Sequence, residues 1–586
     1  MGALETSKTS RRSLAWAICV NVVILAAFLS FTDLRYSSND DYTFSQAIGL
    51  NDYFFFPFSN FFLNAFIGLI QKITPFWNAW VGMQIAFSFI AFVAVCYVFF
   101  EKTKDSPWVR SLGVCIVLAF AYDHYTVFQF TQTSALLITA GAILVMHSLI
   151  LASGMIPLAI GGALLCIGTW YRFSGLYVVL CFAAIFAFCF AIQNRKQILF
   201  SLQRDKKKRT QIIAVILLAI IVLITKQVSG KIDTSTAGLK AYSEYNSARS
   251  QFIDYPKPDY LANEAFFQSL GISENDYALM ARGTLDPNTT ATLENLRQIN
   301  QLQKDERNTA AGLPSLIYVF LKDTRNSILE IDKRGVNALF LVFLAILVLL
   351  AVRFRSLPVF LLFAGAYVAL HLYLYYIGRF PYRAFYCIDL AASVWCAYSI
   401  RSSDLRSFFE GRKGKGKSRL YFVAAILVSI VLVLNTYGIS RISSMNEDAS
   451  GLDSNKLMHH IMDNPENSFL LIDTAPYYRG QYYYSNPIKP LPENFQNNLL
   501  ILYGGFRTMS PYNEQLMARN NLTNFFSDIV DNESVYIISN NPNWIRVSEQ
   551  FYTDHYAPPG KTICFQEIGD IGGFNLWQVK TAPLPG

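Results

Sequence analysis

The feature that most limits what this chain can become is a series of apolar runs, each close to the length that crosses the hydrocarbon core of a bilayer. They lie at about 13–32, 77–100, 109–124, 133–152, 155–170, 172–192, 211–225, 336–352, 357–377, 384–400 and 420–437. About 20 apolar residues in a helix cover that core. Inside it the backbone has no water to bond, so a run of this kind closes its own hydrogen bonds as a helix. Hydrophobic residues are 53% of the chain and charged residues only 15%, and the apolar ones cluster in these runs. The expectation is an α-helical integral membrane protein of about eleven spans.

Basic residues test that count, because Lys and Arg collect on the cytoplasmic side. With the N-terminus inside, the inner loops carry Lys102, Lys104 and Arg110, then Arg195 to Arg209 with Lys206, Lys207 and Lys208, then Arg353 and Arg355, then Arg401 to Arg419. The segments 103–108, 193–210 and 401–419 are therefore expected in the cytoplasm, and 33–54, 226–335 and 438–586 outside. The net charge of +8 falls in these short loops and needs no nucleic acid to explain it, so none is expected as a partner. The runs 204–209 and 412–419 read as topology signals and contacts to anionic membrane lipid.

Lys8, Arg11 and Arg12 lead into the first run as in a signal peptide, but no small-residue cleavage site follows, so it is read as a retained span. Seven of the nine cysteines fall inside apolar runs, and no disulfide framework or zinc spacing is expected. The segment 55–74 carries Asn64, Gln71 and Lys72 and is expected to lie along the membrane interface.

Two domains follow from this layout. Residues 1–437 form a membrane domain with a first outer loop, 33–76, and a large outer loop, 226–335. In that large loop Thr292 to Gln303 and Pro314 to Ile331 have helical periodicity. Residues 438–586 change character and are expected to form an extracytoplasmic α/β domain. Its strands are 468–473, 498–503, 534–539, 561–566 and 574–579, with a helix at about 511–529.

With this topology the ionisable residues at span ends gather on the outer side. Asp40 and Asp41 follow the first span, Asp123 and His124 end the third, Arg172 lies between the fifth and sixth, and Arg379 and Arg383 lie between the ninth and tenth. One Arg at a span end is most simply an interfacial anchor, but two adjacent acids beside a membrane point to chemistry. Guanidinium groups bind phosphate bidentately and a carboxylate can take a proton from a hydroxyl. A lipid-phosphate sugar fits both: its tail stays in the bilayer and its phosphate lies at headgroup level. In the large loop, Asn246, Arg249 and Asp254 belong to a polar and aromatic cluster that would line an acceptor groove or simply be solvated. His459, His460 and His555 are isolated and point to no metal.

Many spans, an acidic first outer loop before an interfacial segment, a long helical outer loop and an outer C-terminal domain together resemble the type C (GT-C) glycosyltransferase superfamily. Asn39-Asp40-Asp41-Tyr42 is similar to that family's acidic first-loop motif, and Asp123-His124 looks like its second outer acidic position. The resemblance implies a polyprenyl-phosphate sugar donor, a glycan or lipid acceptor of the cell envelope, an inverting transfer and a first-loop Asp as base. Asp41 is preferred as that base, with Asp40 orienting it or touching a metal. No Trp-Trp-Asp stands in the tail and no Asp-x-Asp in the first loop, so neither a peptide acceptor nor a divalent cation (Mg or Mn) is required. The expected location is a bacterial plasma membrane. Other readings are a transporter or flippase of a lipid-linked saccharide or small polar substrate, with His147 and His371 at mid-span, an envelope polysaccharide polymerase or ligase, and a noncatalytic surface protein.

Overall fold

The computed structural model describes residues 2–32, 34–37, 39–49, 56–102, 107–151, 154–310, 312–330, 337, 341, 344, 357–379, 381–400, 453–471, 487–489, 499–501 and 505–583. Among the described residues six helices are long and apolar enough to cross a membrane: Ser10–Phe31, Ala79–Lys102, Phe130–Leu151, Gly175–Lys196, Lys206–Ile232 and Leu357–Tyr376. The runs at 109–124 and 155–170 give shorter apolar helices, Arg110–Phe120 and Met155–Tyr171. The run at 384–400 lies in the Tyr382–Ser399 helix. The run 336–352 lies outside the described residues except for 337, 341 and 344, and the run 420–437 and the basic segment 401–419 lie wholly outside them.

These helices are apolar outward as well as inward. Trp16, Val23 and Phe31 on the first helix and Ile213, Ile216, Leu217 and Leu223 on the Lys206–Ile232 helix are exposed. A helix that shows Ile and Leu to its surroundings along its length is stable where the surroundings are lipid. The Phe61–Ile73 helix is apolar on both faces as well: Leu63 and Ile67 are buried beside Asn64 and Gln71, while Phe66, Leu69 and Ile73 face out.

The Phe130–Leu151 and Met155–Tyr171 helices form the tightest pair. A Cβ on Gly141 would stand 2.6 Å from the carbonyl oxygen of Gly161, and one on Gly168 would stand 2.9 Å from the amide nitrogen of Ile138. Only glycine lets the two backbones approach so closely.

Outside the bilayer-length helices lie two further bodies. The large loop forms a helical unit from Ala237–Asp254, Glu264–Ser269, Glu274–Ala281 and Leu293–Ala310, with Tyr245, Phe252, Phe267, Leu285, Leu296 and Ile299 in its own core. The Leu313–Glu330 helix then leads back. The C-terminal domain is a five-stranded sheet of β3 (Ser468–Leu471), β4 (Leu499–Ile501), β5 (Val535–Ile538), β6 (Lys561–Ile571) and β7 (Phe574–Pro583), in the order β4-β3-β5-β7-β6. β4, β3 and β5 are parallel, and β7 turns antiparallel to β5 and β6. The helix expected over 511–529 is two pieces, Pro511–Arg519 and Phe525–Asp528. Asn520 to Asn524 separate them, with Asn521 at φ 56°, a conformation asparagine accepts and a helix does not. A helix that periodicity did not single out, Pro542–Tyr556, is capped by Asn541, whose side chain accepts from the Trp544 amide. It packs through Trp544 and Tyr552 on Phe565 of β6.

Candidate active site

The loop after the first helix is fastened before its acids begin. β1 (Arg35–Tyr36) pairs in parallel with β2 (Val127–Phe128), and Asp40 and Asp41 then open the Asn39–Gly49 helix, where acidic residues suit the positive end of the dipole. Adjacent positions on a helix point about 100° apart, so the two carboxylates face different surroundings.

Asp41 turns inward and has no exposure. Its Oδ1 accepts from Trp80 Nε1 at 3.0 Å, Gln84 Nε2 at 3.1 Å and the Phe130 amide at 3.0 Å, and the same amide lies 3.3 Å from Oδ2. Phe130 begins the Phe130–Leu151 helix, and the Gln129 side chain takes the next amides, Thr131 and Gln132, at 2.6 and 3.2 Å. Asp41 is thus a cap contributed to that helix from a distant segment. Burial pushes its carboxyl up to about 7 even though the Trp80, Gln84 and Phe130 donors pull the other way and Asp40 adds repulsion.

Asp40 turns toward a cluster of arginines. Its Oδ2 lies 3.7 Å from Arg383 Nη1, with Asp40 and Arg383 side chains 12% and 25% exposed. Arg172 and Arg249 both lie within its field. Arg172 sits in the turn after the Met155–Tyr171 helix, its guanidinium 5.5 Å from the ring centres of Phe58 and of Phe130 and its Nη1 donating to Thr131 Oγ1 at 3.4 Å. Burial pushes Arg172 down to about 10, and Arg383 and Arg379 push the same way while Asp40 opposes them. Such mutual repulsion among guanidinium groups is what an anion relieves.

Arg249 is held by Asn246, whose Oδ1 accepts from Nε at 3.0 Å and Nη2 at 2.8 Å, and both are buried on the inner face of the Ala237–Asp254 helix. Arg379 Nη2 donates to Asp254 Oδ2 at 2.7 Å, with the guanidinium 5.5 Å from the Tyr255 ring centre. Gly378 makes that joint possible: it has φ 67°, and a Cβ there would lie 2.4 Å from Pro256 Cγ. The large loop is thereby locked on the turn that carries Arg379 and Arg383.

The structure therefore gathers Asp40, Arg172, Arg249 and Arg383, with Asn246, Arg379 and Asp254 as the next contacts. Asp123 and His124 are buried. Asp123 accepts from Tyr382 Oη at 3.3 Å, and His124 bonds Ser88 Oγ at 3.2 Å and the Tyr386 hydroxyl. They brace the Tyr382–Ser399 helix, one residue from Arg383. His147 bonds Tyr398 Oη at 3.2 Å, and His371 lies 3.9 Å from Asp389, a buried carboxylate inside an apolar run.

Several participants left little trace in the sequence. Trp80 and Gln84 read as part of a span. Phe58 adopts φ 82°, a strained value for an aromatic residue, with its ring between Arg172 and Phe506. Phe506, from the C-terminal domain, also packs on Phe44 at 5.5 Å, and its carbonyl accepts from Tyr242 Oη at 2.7 Å. A positive φ at Phe58 and a contact between the chain's two ends are properties of the assembled fold.

No group of three metal-ligating side chains occurs among the described residues.

Among solved structures, ArnT from Cupriavidus metallidurans aligns with this chain. Its form bound to undecaprenyl phosphate aligns over 96% of this chain and 97% of that chain, at 9% identity and a TM-score of 0.44. Its apo form aligns over the same shares at 7% identity and a TM-score of 0.40. Neither value assigns an activity to this chain. No protein-family model and no curated protein matches it.

Proposed function

We propose that this protein is a membrane glycosyltransferase of the GT-C type, moving a sugar from a polyprenyl-phosphate donor to a glycan or lipid acceptor of the cell envelope. The observation that carries the proposal is the convergence of the Asp40 carboxylate with Arg383, Arg172 and Arg249, contributed by four separate segments, above apolar helices that would hold a lipid tail.

In this mechanism the donor phosphate enters among Arg172 and Arg383. Arg383 then exchanges its long 3.7 Å contact with Asp40 for the phosphate, which leaves Asp40 free to accept a proton. The acceptor hydroxyl attacks the anomeric carbon as its proton passes to Asp40. The bond from that carbon to the phosphate oxygen breaks, its electron pair stays on the oxygen, and a phosphodiester monoanion becomes a monoester dianion. The added charge appears beside the guanidinium groups as the bond breaks, so they stabilise the transition state more than the bound donor. A single displacement inverts the anomeric centre. The base is Asp40 in this assignment and not Asp41, because Asp41 is enclosed and its oxygens are already taken by protein donors. Each step uses side chains of this chain alone.

The test is a transfer assay with purified protein in lipid nanodiscs and a panel of polyprenyl-phosphate sugars. Asp40→Asn is expected to lower turnover by about 100-fold or more, the range of a lost general base, with an unchanged unfolding midpoint. Full turnover by Asp40→Asn, or lipid-linked sugar crossing the bilayer without transfer, would remove the reading.

A further inference from the structure

Arg507 lies in the turn 505–510 of the C-terminal domain and is only 5% exposed. Its Nε, Nη1 and Nη2 are all buried, and among the described residues none has a hydrogen-bond partner. Arg249 and Arg379, by contrast, each meet an oxygen within 3.0 Å. The guanidinium stays charged in any protein setting and carries five N–H donors around its edge. Its centre lies 4.7 Å from the ring centre of Tyr512, a contact that uses a face of the guanidinium and leaves the edge unmet. A cation held dry with an empty edge is strongly unfavourable unless an anion completes it.

The position sharpens the point. Ser510 caps the nine-residue Pro511–Arg519 helix, and Tyr512 is in its first turn, so Arg507 stands at the positive end of a helix dipole. Arg519 acts on the Tyr512 hydroxyl from the same sign. The turn itself is fixed: the Ser510 amide donates to the Arg507 carbonyl at 2.8 Å, Met509 takes φ 57°, and Met509 packs on the core of the large outer loop. Phe506, the preceding residue, touches Phe58, which lies against Arg172, and Phe44, one helical turn after Asp40. Arg507 therefore stands where the C-terminal domain, the outer loop and the acidic helix meet.

We propose that Arg507 and the first turn of the Pro511–Arg519 helix form a phosphate-binding site, which the C-terminal domain adds near the Asp40–arginine cluster. A planar fork next to a helix N-terminus suits the several oxygens of a phosphate group. Identifying its occupant with the lipid-linked donor or its polyprenyl-phosphate product rests on the transferase reading; the anion site itself does not.

The experiment measures thermal unfolding of the full-length protein in phosphate-free detergent, alone and with inorganic phosphate, polyprenyl phosphate or uncharged polyprenol. Arg507→Met is expected to unfold at the wild-type temperature or higher when no ligand is present, because a buried unpaired charge has gone. It is expected to lose at least tenfold in affinity for the phosphate ligands. Equal response to inorganic and polyprenyl phosphate identifies free phosphate chemistry, and response to the lipid alone identifies the headgroup. Unchanged phosphate affinity in Arg507→Met overturns the proposal. Where Arg507→Met does not fold, Arg507→Lys keeps the charge without the fork, and wild-type affinity there overturns it as well. Transfer without Arg507-dependent binding sinks this site alone; Arg507-dependent binding without any transfer sinks the transferase reading alone.

Discussion

Asp40 and Asp41 carry the same carboxylate and meet opposite surroundings, and the difference is measurable at the level of single side chains. Asp41→Ala would leave the donors of Trp80, Gln84 and Phe130 buried without an acceptor. At roughly 1 to 3 kcal/mol for each abandoned donor, with some relaxation, the expected loss is about 4 kcal/mol, read as a lower unfolding midpoint; a wild-type midpoint would contradict the capping role. The pH dependence has a definite sign. The Asp41 carboxyl is raised to about 7 from an ordinary value near about 4, so the folded state holds its proton more tightly than the unfolded chain. Its stabilising contribution is complete below about pH 4 and is lost as pH rises through about 7. Asp41→Asn should flatten that part of the stability profile between pH 5 and 8, as followed by thermal unfolding. The acidic pair was legible in the sequence as a pair. Which member meets the arginines was not, because the helical angle separates the two without saying which direction leads to arginine.

Among elements, the pairing of the Phe130–Leu151 and Met155–Tyr171 helices sets where Arg172 emerges. A Cβ at Gly141 would lie 2.6 Å from the Gly161 carbonyl oxygen and 2.7 Å from the Leu165 amide nitrogen, both backbone atoms that cannot swing aside. Gly141→Val should therefore part the helices and lower stability by about 1 to 3 kcal/mol, the cost of overpacking. A chemical denaturation series in detergent, with Gly365→Val as a control at a site with no atom nearby, would check it; equal effects at both positions would contradict the close approach. Apolar length made these helices legible, since a bilayer rewards it whatever the neighbours are. The break at Asn520 to Asn524 and the Pro542–Tyr556 helix were harder to read. A C-terminal-domain helix is decided by caps and by the sheet it covers as much as by periodicity.

Across the whole molecule, the large loop and the C-terminal domain are latched together. His555 Nε2 lies 3.0 Å from Asp276 Oδ1, Trp544 Nε1 donates to Thr284 Oγ1 at 3.2 Å, Asn275 Nδ2 donates to the Val547 carbonyl at 3.0 Å, and Tyr556 donates to Asp286. The bond to Asp276 raises His555 above the usual imidazole range, against the opposing effect of burial, and Asp276, Asp554 and Asp286 add attraction. Burial works to raise Asp276, but the bonds from His555 and Ser273 outweigh it and hold the carboxyl below its ordinary value. The latch contribution from His555 is thus complete below about pH 6.5 and is lost as pH rises through the elevated His555 value. At the acid end the Asp276 share is lost as pH falls through its depressed value. Amide exchange over 274–286 should be faster at pH 9 than at pH 6 after correction for intrinsic rates, by an amount near 1 kcal/mol, and His555→Gln should remove the difference. An unchanged difference in His555→Gln would place the latch elsewhere.

The sequence by itself determined the local form of most segments: apolar runs long enough for a bilayer, a large loop with helical period, and a tail whose short β-rich runs became a five-stranded sheet. These follow from terms that act within a few residues, namely burial of a face and closure of backbone hydrogen bonds. Tertiary structure alone decided that Asp40 meets Arg383, that Asp41 caps a helix begun at Phe130, and that Arg507 is buried without an acceptor. Such contacts join segments far apart in the chain, and their free energy depends on distance, enclosure and charge in space, none of which a local pattern of residues encodes.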